Sequence, residues 1–208
     1  MFGYLKANPK RKLFFDPQHP TIDERLFAAH DCYDFYQDTK DVIPADALTP
    51  KVNVVSTHFF VDTDHAGDRS DRRYQTRVLI FVNKSPIICY SKQYNTVETS
   101  NFLREFIALN TATELIEALW YKLQMFGIPI EGPSKMFCNN ESVYKNVLTH
   151  DSTLKKKNIS IFYHKCRESV AAGLDWISKE GKATNLYNMF TKILVHIRRE
   201  TLLGKFTY

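Results

Sequence analysis

The chain has no paired cysteines: Cys32, Cys89, Cys138 and Cys166 lie far apart, and none belongs to a Cys-x-x-Cys unit. That spacing indicates neither a zinc site nor a disulfide framework and leaves the thiols as buried or idle groups. Also missing is any apolar run near the roughly 20 residues needed to cross a bilayer. The opening MFGYLKANPKRK lacks the apolar core of a signal peptide. From these absences the expectation is a soluble, reducing compartment, cytoplasmic or nuclear, with no membrane partner. No internal repeat and no low-complexity tract interrupts the chain.

What is present reads as a folded protein. Of 208 residues, 44% are hydrophobic and 25% charged, close to ordinary globular chains and unlike disordered ones. The length allows one substantial core plus an appended segment. A formal net charge of +5 is compatible with an anionic partner, because clustered Lys and Arg displace counterions from phosphates. Many mildly basic domains bind no nucleic acid, so the charge alone decides nothing.

The opening stretch through Leu5 reads as the end of a helix, stopped near Asn8-Pro9, with an extended piece through Leu13, Phe14 and Phe15. A helix that begins with the chain points to truncation. Residues 17 to 50 are polar, acidic and proline-punctuated and read as a connector. Its aromatics Tyr33, Phe35 and Tyr36 are candidates for docking on a neighbouring surface. Three strands follow, THFFVD (57 to 62), RVLIFVN (77 to 83) and PIICYSK (86 to 92), rich in β-branched and aromatic residues. A tight turn at Lys84-Ser85 is expected between the last two.

Phe102, Phe106, Leu109, Thr113, Ile116, Trp120 and Leu123 alternate spacings of four and three, the mark of one helical face. That helix is expected to start at Thr99 or Ser100 and to end at Gly127. A strand at 135 to 140, a helix from Glu141 to about Val147, a helix over 159 to 173 closed by Gly173, and a strand at 174 to 179 complete the pattern. A last helical stretch runs from about Asn185 with an interruption near His196. Hairpin first and crossovers later imply a mixed sheet with helices on its faces.

Several segments carry a more specific pattern. VDTDHAGDRSDRR resembles the first-strand motif S-D-A-D-W-A-G-D of copia-type RNase H domains, which a pair of arginines follows. YSKQYNTVETSNFLREFIAL is similar to S-K-K-Q-x-T-V-x-x-S-S-T-E-A-E-Y-x-A-L, FCNNES to Y-C-D-N-Q-S, and TNLYNMFTK to Q-L-A-D-x-F-T-K. ISIFYHKCRE stands where the family has D-I-x-Y-H-x-I-R-E. The matches keep the family order over roughly residues 57 to 192. The resemblance implies an α/β, RNase H-like fold: a mixed five-stranded sheet, three antiparallel strands and then crossover strands, flanked by helices. It further implies a division into a truncated polymerase-end or connection segment, residues 1–55, and an RNase H-like domain, residues 56–208.

The chemistry implied is hydrolysis of the RNA strand of an RNA–DNA hybrid by two Mg2+ or Mn2+ ions, which activate water and stabilise the leaving oxygen. Four carboxylates normally balance the two ions. By position, the first two acids fall on Asp62 and Glu105, expected as metal ligands and catalytic groups. The third and fourth fall on Asn139 and Asn188, which keep a carbonyl ligand but lose the charge. At an effective dielectric of about 20, a unit charge a few ångströms away is worth several kcal/mol, so ion affinity and cleavage are expected to suffer severely.

Asp64, Asp68, Asp71, Glu98 and Glu141 lie near the motifs and read as solvated acids. Arg72, Arg73, Lys155, Lys156, Lys157 and His164 are candidates for contacting nucleic acid, although charged runs are more often simply solvated. Trp120 reads as core. Further departures from the family are Arg77 for a Gly, where a positive φ would be strained, and Cys89 for a Trp, which leaves a void if buried. Asn158, Ser160 and Phe162 replace a His, an Asp and an Arg. Open readings are a degenerate RNase H, a non-catalytic nucleic-acid-binding or polymerase-supporting domain, a still active ribonuclease H, and a transposon relic. Expected partners are an RNA–DNA hybrid or other nucleic acid and the reverse transcriptase domain of a polyprotein.

Overall fold

The computed structural model describes residues 6, 9–10, 12–27, 36, 39–40, 43–64, 74–94, 101–148, 160–179, 186 and 196–204. Five strands form one sheet: β1 Thr57–Asp64, β2 Gln75–Val82, β3 Ser85–Gln93, β4 Ser134–Cys138 and β5 Asp175–Lys179. Their order is β3-β2-β1-β4-β5. The first three pair antiparallel, whereas β1 with β4 and β4 with β5 pair parallel. This is the RNase H-like mixed sheet that the motifs implied. The described helices are α1 Asn101–Met125, α2 Glu141–Leu148, α3 Ser160–Ala171 and α4 His196–Leu203. Parallel strands need crossovers, and α1, then α2 and α3, supply them.

Alternation along β1 explains why both faces are covered. Phe59 and Val61 join a cluster with Val78, Ile80, Met136 and Ile177, which the α1 stripe of Phe106, Leu109 and Ile116 closes. Phe60 belongs to a second cluster on the opposite face, with Phe27, Leu79, Phe81, Phe137, Leu186 and Leu202. The stripe read from sequence thus marks the buried face of α1. Trp120 also packs there, its indole Nε1 donating to Ser134 Oγ at 2.7 Å.

Helix ends follow backbone chemistry. At Gly127 (φ 68°) and Gly173 (φ 73°) the chain turns left-handed. Ile128 N–H reaches Leu123 O at 2.9 Å and Leu174 N–H reaches Ser169 O at 3.0 Å, the six-to-one bonds of a Schellman ending. The β2–β3 turn sits one residue earlier than expected, at Asn83-Lys84, because Asn83 takes the positive φ of 54° that such turns need. Its amide also anchors the turn: Oδ1 accepts from Ser56 N–H at 2.9 Å, and Nδ2 donates to Pro17 O at 2.8 Å.

Two sequence concerns are corrected by these placements. Arg77 lies inside the regular β1–β2 ladder, and among the described residues Asn83 is the non-glycine with positive φ, so Arg77 carries no such strain. Cys89 is exposed on the edge strand, so no cavity replaces the family Trp.

Part of the residues read as a connector packs onto the sheet. Phe27 is 5% exposed and meets Phe137 edge-on at 5.3 Å. Ser85 Oγ donates to Asp16 O at 2.9 Å, Ser178 Oγ donates to Leu26 O at 2.9 Å, and Lys135 pairs with Glu24 at 2.9 Å. Tyr36 packs against the main cluster. Of the expected opening helix, Lys6 is described, in helical form, followed by a turn at Pro9–Lys10. The start expected for the last helix falls on residues outside the description, and α4 is described from His196.

Candidate functional site

Asp62 is the sixth residue of β1 and is 2% exposed. Parallel pairing of β1 with β4 runs to Val61↔Cys138; Asp62 continues β1, and Asn139 is the first residue past the end of β4. Glu105 lies in the first turns of α1. Its negative charge is felt by the Cys138 thiol, which burial first and Glu105 second push up to about 12. Glu105 therefore lies within electrostatic reach of the end of β4, beside which Asp62 continues β1. Asn188 lies outside the described residues.

The amide at 139 is in an unusual state. Its Oδ1 is buried and has no hydrogen-bond partner, a condition that normally costs about 1–3 kcal/mol. Asn140 instead caps α2, its Oδ1 accepting from Ser142 N–H at 2.9 Å. Glu141 is held by Lys145 and Lys179, and those bonds pull its carboxyl down to about 2. It is a paired surface acid, as its sequence position indicated. Asp68, Asp71 and Glu98 lie outside the described residues.

Asp62 and Glu105 offer two negative charges, and the orphaned Asn139 oxygen offers a neutral donor. Two carboxylates and an amide carry less charge than a pair of divalent ions calls for. Among the described residues, no group of three or more His, Cys, Asp or Glu is arranged to hold a metal.

Of the residues expected to touch nucleic acid, Arg72, Arg73, Lys155, Lys156 and Lys157 lie outside the description. His164 is exposed on α3, and its Nδ1 is hydrogen-bonded to the Tyr36 hydroxyl. Two further polar residues stand out by their burial. His58 is buried, stacked on Phe81 at 4.6 Å, with its Nδ1 unpartnered. Asp175 is fully buried at the start of β5, with Thr113 Oγ1 donating to its Oδ2 at 3.4 Å. Both strands hold other polar residues, so the sequence does not set these two apart. Arg77 was noticed as a departure, but its neighbour across the sheet becomes visible only with the strand register, which pairs it with Asp62.

No family model matches the chain. It is 26% identical over 126 residues to the retrovirus-related Pol polyprotein from transposon RE1 of Arabidopsis thaliana, and 28% identical over 127 residues to that from transposon RE2 of the same plant. Each match covers 59% of this chain and 8% of the polyprotein, so the chain spans a small fraction of these relatives' length. Among solved structures, RNase H1 of the halophilic archaeon Halobacterium salinarum NRC-1 aligns with a TM-score of 0.44 at 16% identity, covering 62% of this chain and 89% of that one. By its sequence relatives and the strand order of its own sheet, the chain is a relative of transposon Pol polyproteins with an RNase H-like fold, of the copia type that its motifs resemble.

Proposed function

We propose that the chain is a degenerate retrotransposon RNase H domain, descended from a two-metal endonuclease acting on RNA–DNA hybrids and impaired in cleavage. The observation that carries this reading is Asn139: it directly follows the last residue of β4, one step past the Val61↔Cys138 pair, and its carbonyl oxygen is buried without a donor. A carboxylate there would add the charge that a cation needs; an amide adds only a dipole. With Asn188 replacing the fourth acid, two carboxylates face the load that four would carry. Arg72, Arg73, Lys155, Lys156 and Lys157 remain the proposed phosphate contacts, while His164 is engaged by Tyr36.

A polymerase-supporting role is the second reading, favoured by the packing of residues 16 to 27 on the sheet. In that reading residues 1–55 are the connection from a reverse transcriptase, fastened to the domain of residues 56–208. The test uses a labelled RNA–DNA hybrid with Mg2+ or Mn2+, scoring binding and cleavage separately for the native chain and for Asn139→Asp combined with Asn188→Asp. The expected result is binding without cleavage for the native chain and faster cleavage for the double variant. Equal cleavage by both would refute impairment, and absence of binding at low salt would remove any hybrid-holding role.

A further inference from the structure

His19 stands where two acceptors converge. Its Nδ1 lies 3.0 Å from a carboxylate oxygen of Glu131, and its Nε2 lies 3.1 Å from the carbonyl oxygen of Val54. Both acceptors belong to backbone that is itself fixed: Val55 and Ile130 form a parallel bridge, with Val55 N–H donating to Pro129 O at 2.9 Å and Glu131 N–H donating to Val55 O at 2.8 Å. A carbonyl and an ionised carboxylate can only accept, while a neutral imidazole has one N–H to give. Both bonds therefore exist together only on the doubly protonated ring. What the ring holds is the segment of residues 16 to 27. On one side of it Gln18 is tied to the β2–β3 turn, with Lys84 N–H donating to Gln18 O at 3.1 Å and Lys84 Nζ donating to Gln18 Oε1 at 2.9 Å. On the other side Pro20, Thr21 and Ile22 line a cavity of about 410 Å3 together with Thr57 and Trp176. Glu24 and Lys135 line the same cavity and pair with each other at 2.9 Å, and Asp16 on the same segment pairs with Lys84 at 3.7 Å. Glu131 is the charged partner that the structure gives the ring.

We propose that His19 is a proton-operated clasp on residues 16 to 27: charged, it ties them to Val54 and Glu131 at once, and neutral, it gives up one of the two. Imidazole is the side chain that changes charge between about pH 5 and 8, so the clasp loosens across that range as pH rises. The loosening is local, because Phe27 stays buried in its aromatic cluster and Lys84 still holds Gln18. It concerns the edge of the cavity beside Pro20 and is independent of how Asp62 and Asn139 are read.

Hydrogen exchange of the Lys84 amide in the full chain, corrected for the intrinsic rate at each pH, reads how firmly Gln18 is held beside the clasp. Glu131→Gln is the informative variant. A side-chain amide can donate to Nδ1 while Nε2–H donates to Val54 O, so with Gln in place of Glu131 the neutral ring keeps both bonds. Glu131 is 63% exposed, and its replacement leaves the core untouched. From about pH 5.5 to 8 the native chain is expected to lose roughly twofold to fivefold more of the Lys84 protection than Glu131→Gln loses, the scale of one exposed charged contact. A native profile that falls no more steeply than the Glu131→Gln profile overturns the proposal.

Discussion

Replacing Asp175 with Asn is expected to tilt the dependence of stability on pH, and the size of the tilt follows from burial. The carboxyl is fully enclosed; Ser169 lies beside it with its hydroxyl outside bonding geometry, and Cys166, Glu117 and Lys165 surround it. Burial pushes its pKa from 3.8 up to about 7. The folded chain therefore keeps a proton that the unfolded chain releases above pH 3.8, so this contribution to stability is complete below that value and is lost as pH rises through about 7. His58 works in the opposite sense. Burial, aided by the charge of Lys135, pulls its pKa from 6.5 to about 3, so its contribution is complete above 6.5 and is lost as pH falls toward 3. Between about pH 4 and 6.5 the two slopes, each ~1.4 kcal/mol per pH unit, oppose one another and largely cancel. Asp175→Asn removes one of them. Relative to the native chain, the variant should gain about 4 kcal/mol, as an upper figure, between roughly pH 4 and 7. Urea unfolding of both chains across that range reads the difference directly. Parallel curves would refute the argument, because they would mean that Asp175 titrates alike in the folded and unfolded states.

Three further outcomes follow from packing and backbone. Phe27→Ala should cost about 3–5 kcal/mol in urea unfolding, because Phe27 is enclosed with Phe60, Phe81 and Phe137; a loss near zero would return residues 16 to 27 to the status of a loose connector. Gly127→Ala should destabilise more than Gly132→Ala. Both have positive φ, but only at Gly127 would the added methyl meet Leu48 Cβ and Thr49 O, each at 3.1 Å. Thermal unfolding of the pair checks the order, with the left-handed strain alone worth about 1–2 kcal/mol. Asn83→Ala should cost roughly 2–3 kcal/mol by losing the turn conformation and the bonds to Ser56 and Pro17, measured by the shift in unfolding midpoint.

The sheet and its helices were legible because their signals are local. Alternating β-branched strands, the four-and-three stripe of α1, and Gly127 and Gly173 as helix stops each act within a few residues. The candidate site was legible only in part. Motif order singles out Asp62 and Glu105 as candidates, and the nearness of Asp62 to the end of β4 depends on strand pairing that no single segment encodes. The pairing of Arg77 with Asp62 was hidden for the same reason: fourteen residues of chain lie between them, and a shift of one residue would send Arg77 to the other face. The packing of residues 16 to 27 was hidden because a polar, proline-punctuated stretch announces no period, although Phe27 is buried in one cluster with Phe60, Phe81 and Phe137. Asp175 and His58 look like ordinary strand polar residues until burial is known.

The claim on which the account turns is a shortage of negative charge at the end of β1 and β4. Counting Mn2+ ions by titration, for the native chain and for Asn139→Asp with Asn188→Asp, measures that shortage. The account predicts at most one weakly held ion for the native chain and a second ion, with tighter binding overall, once both carboxylates are present. Two firmly held ions in the native chain would contradict it.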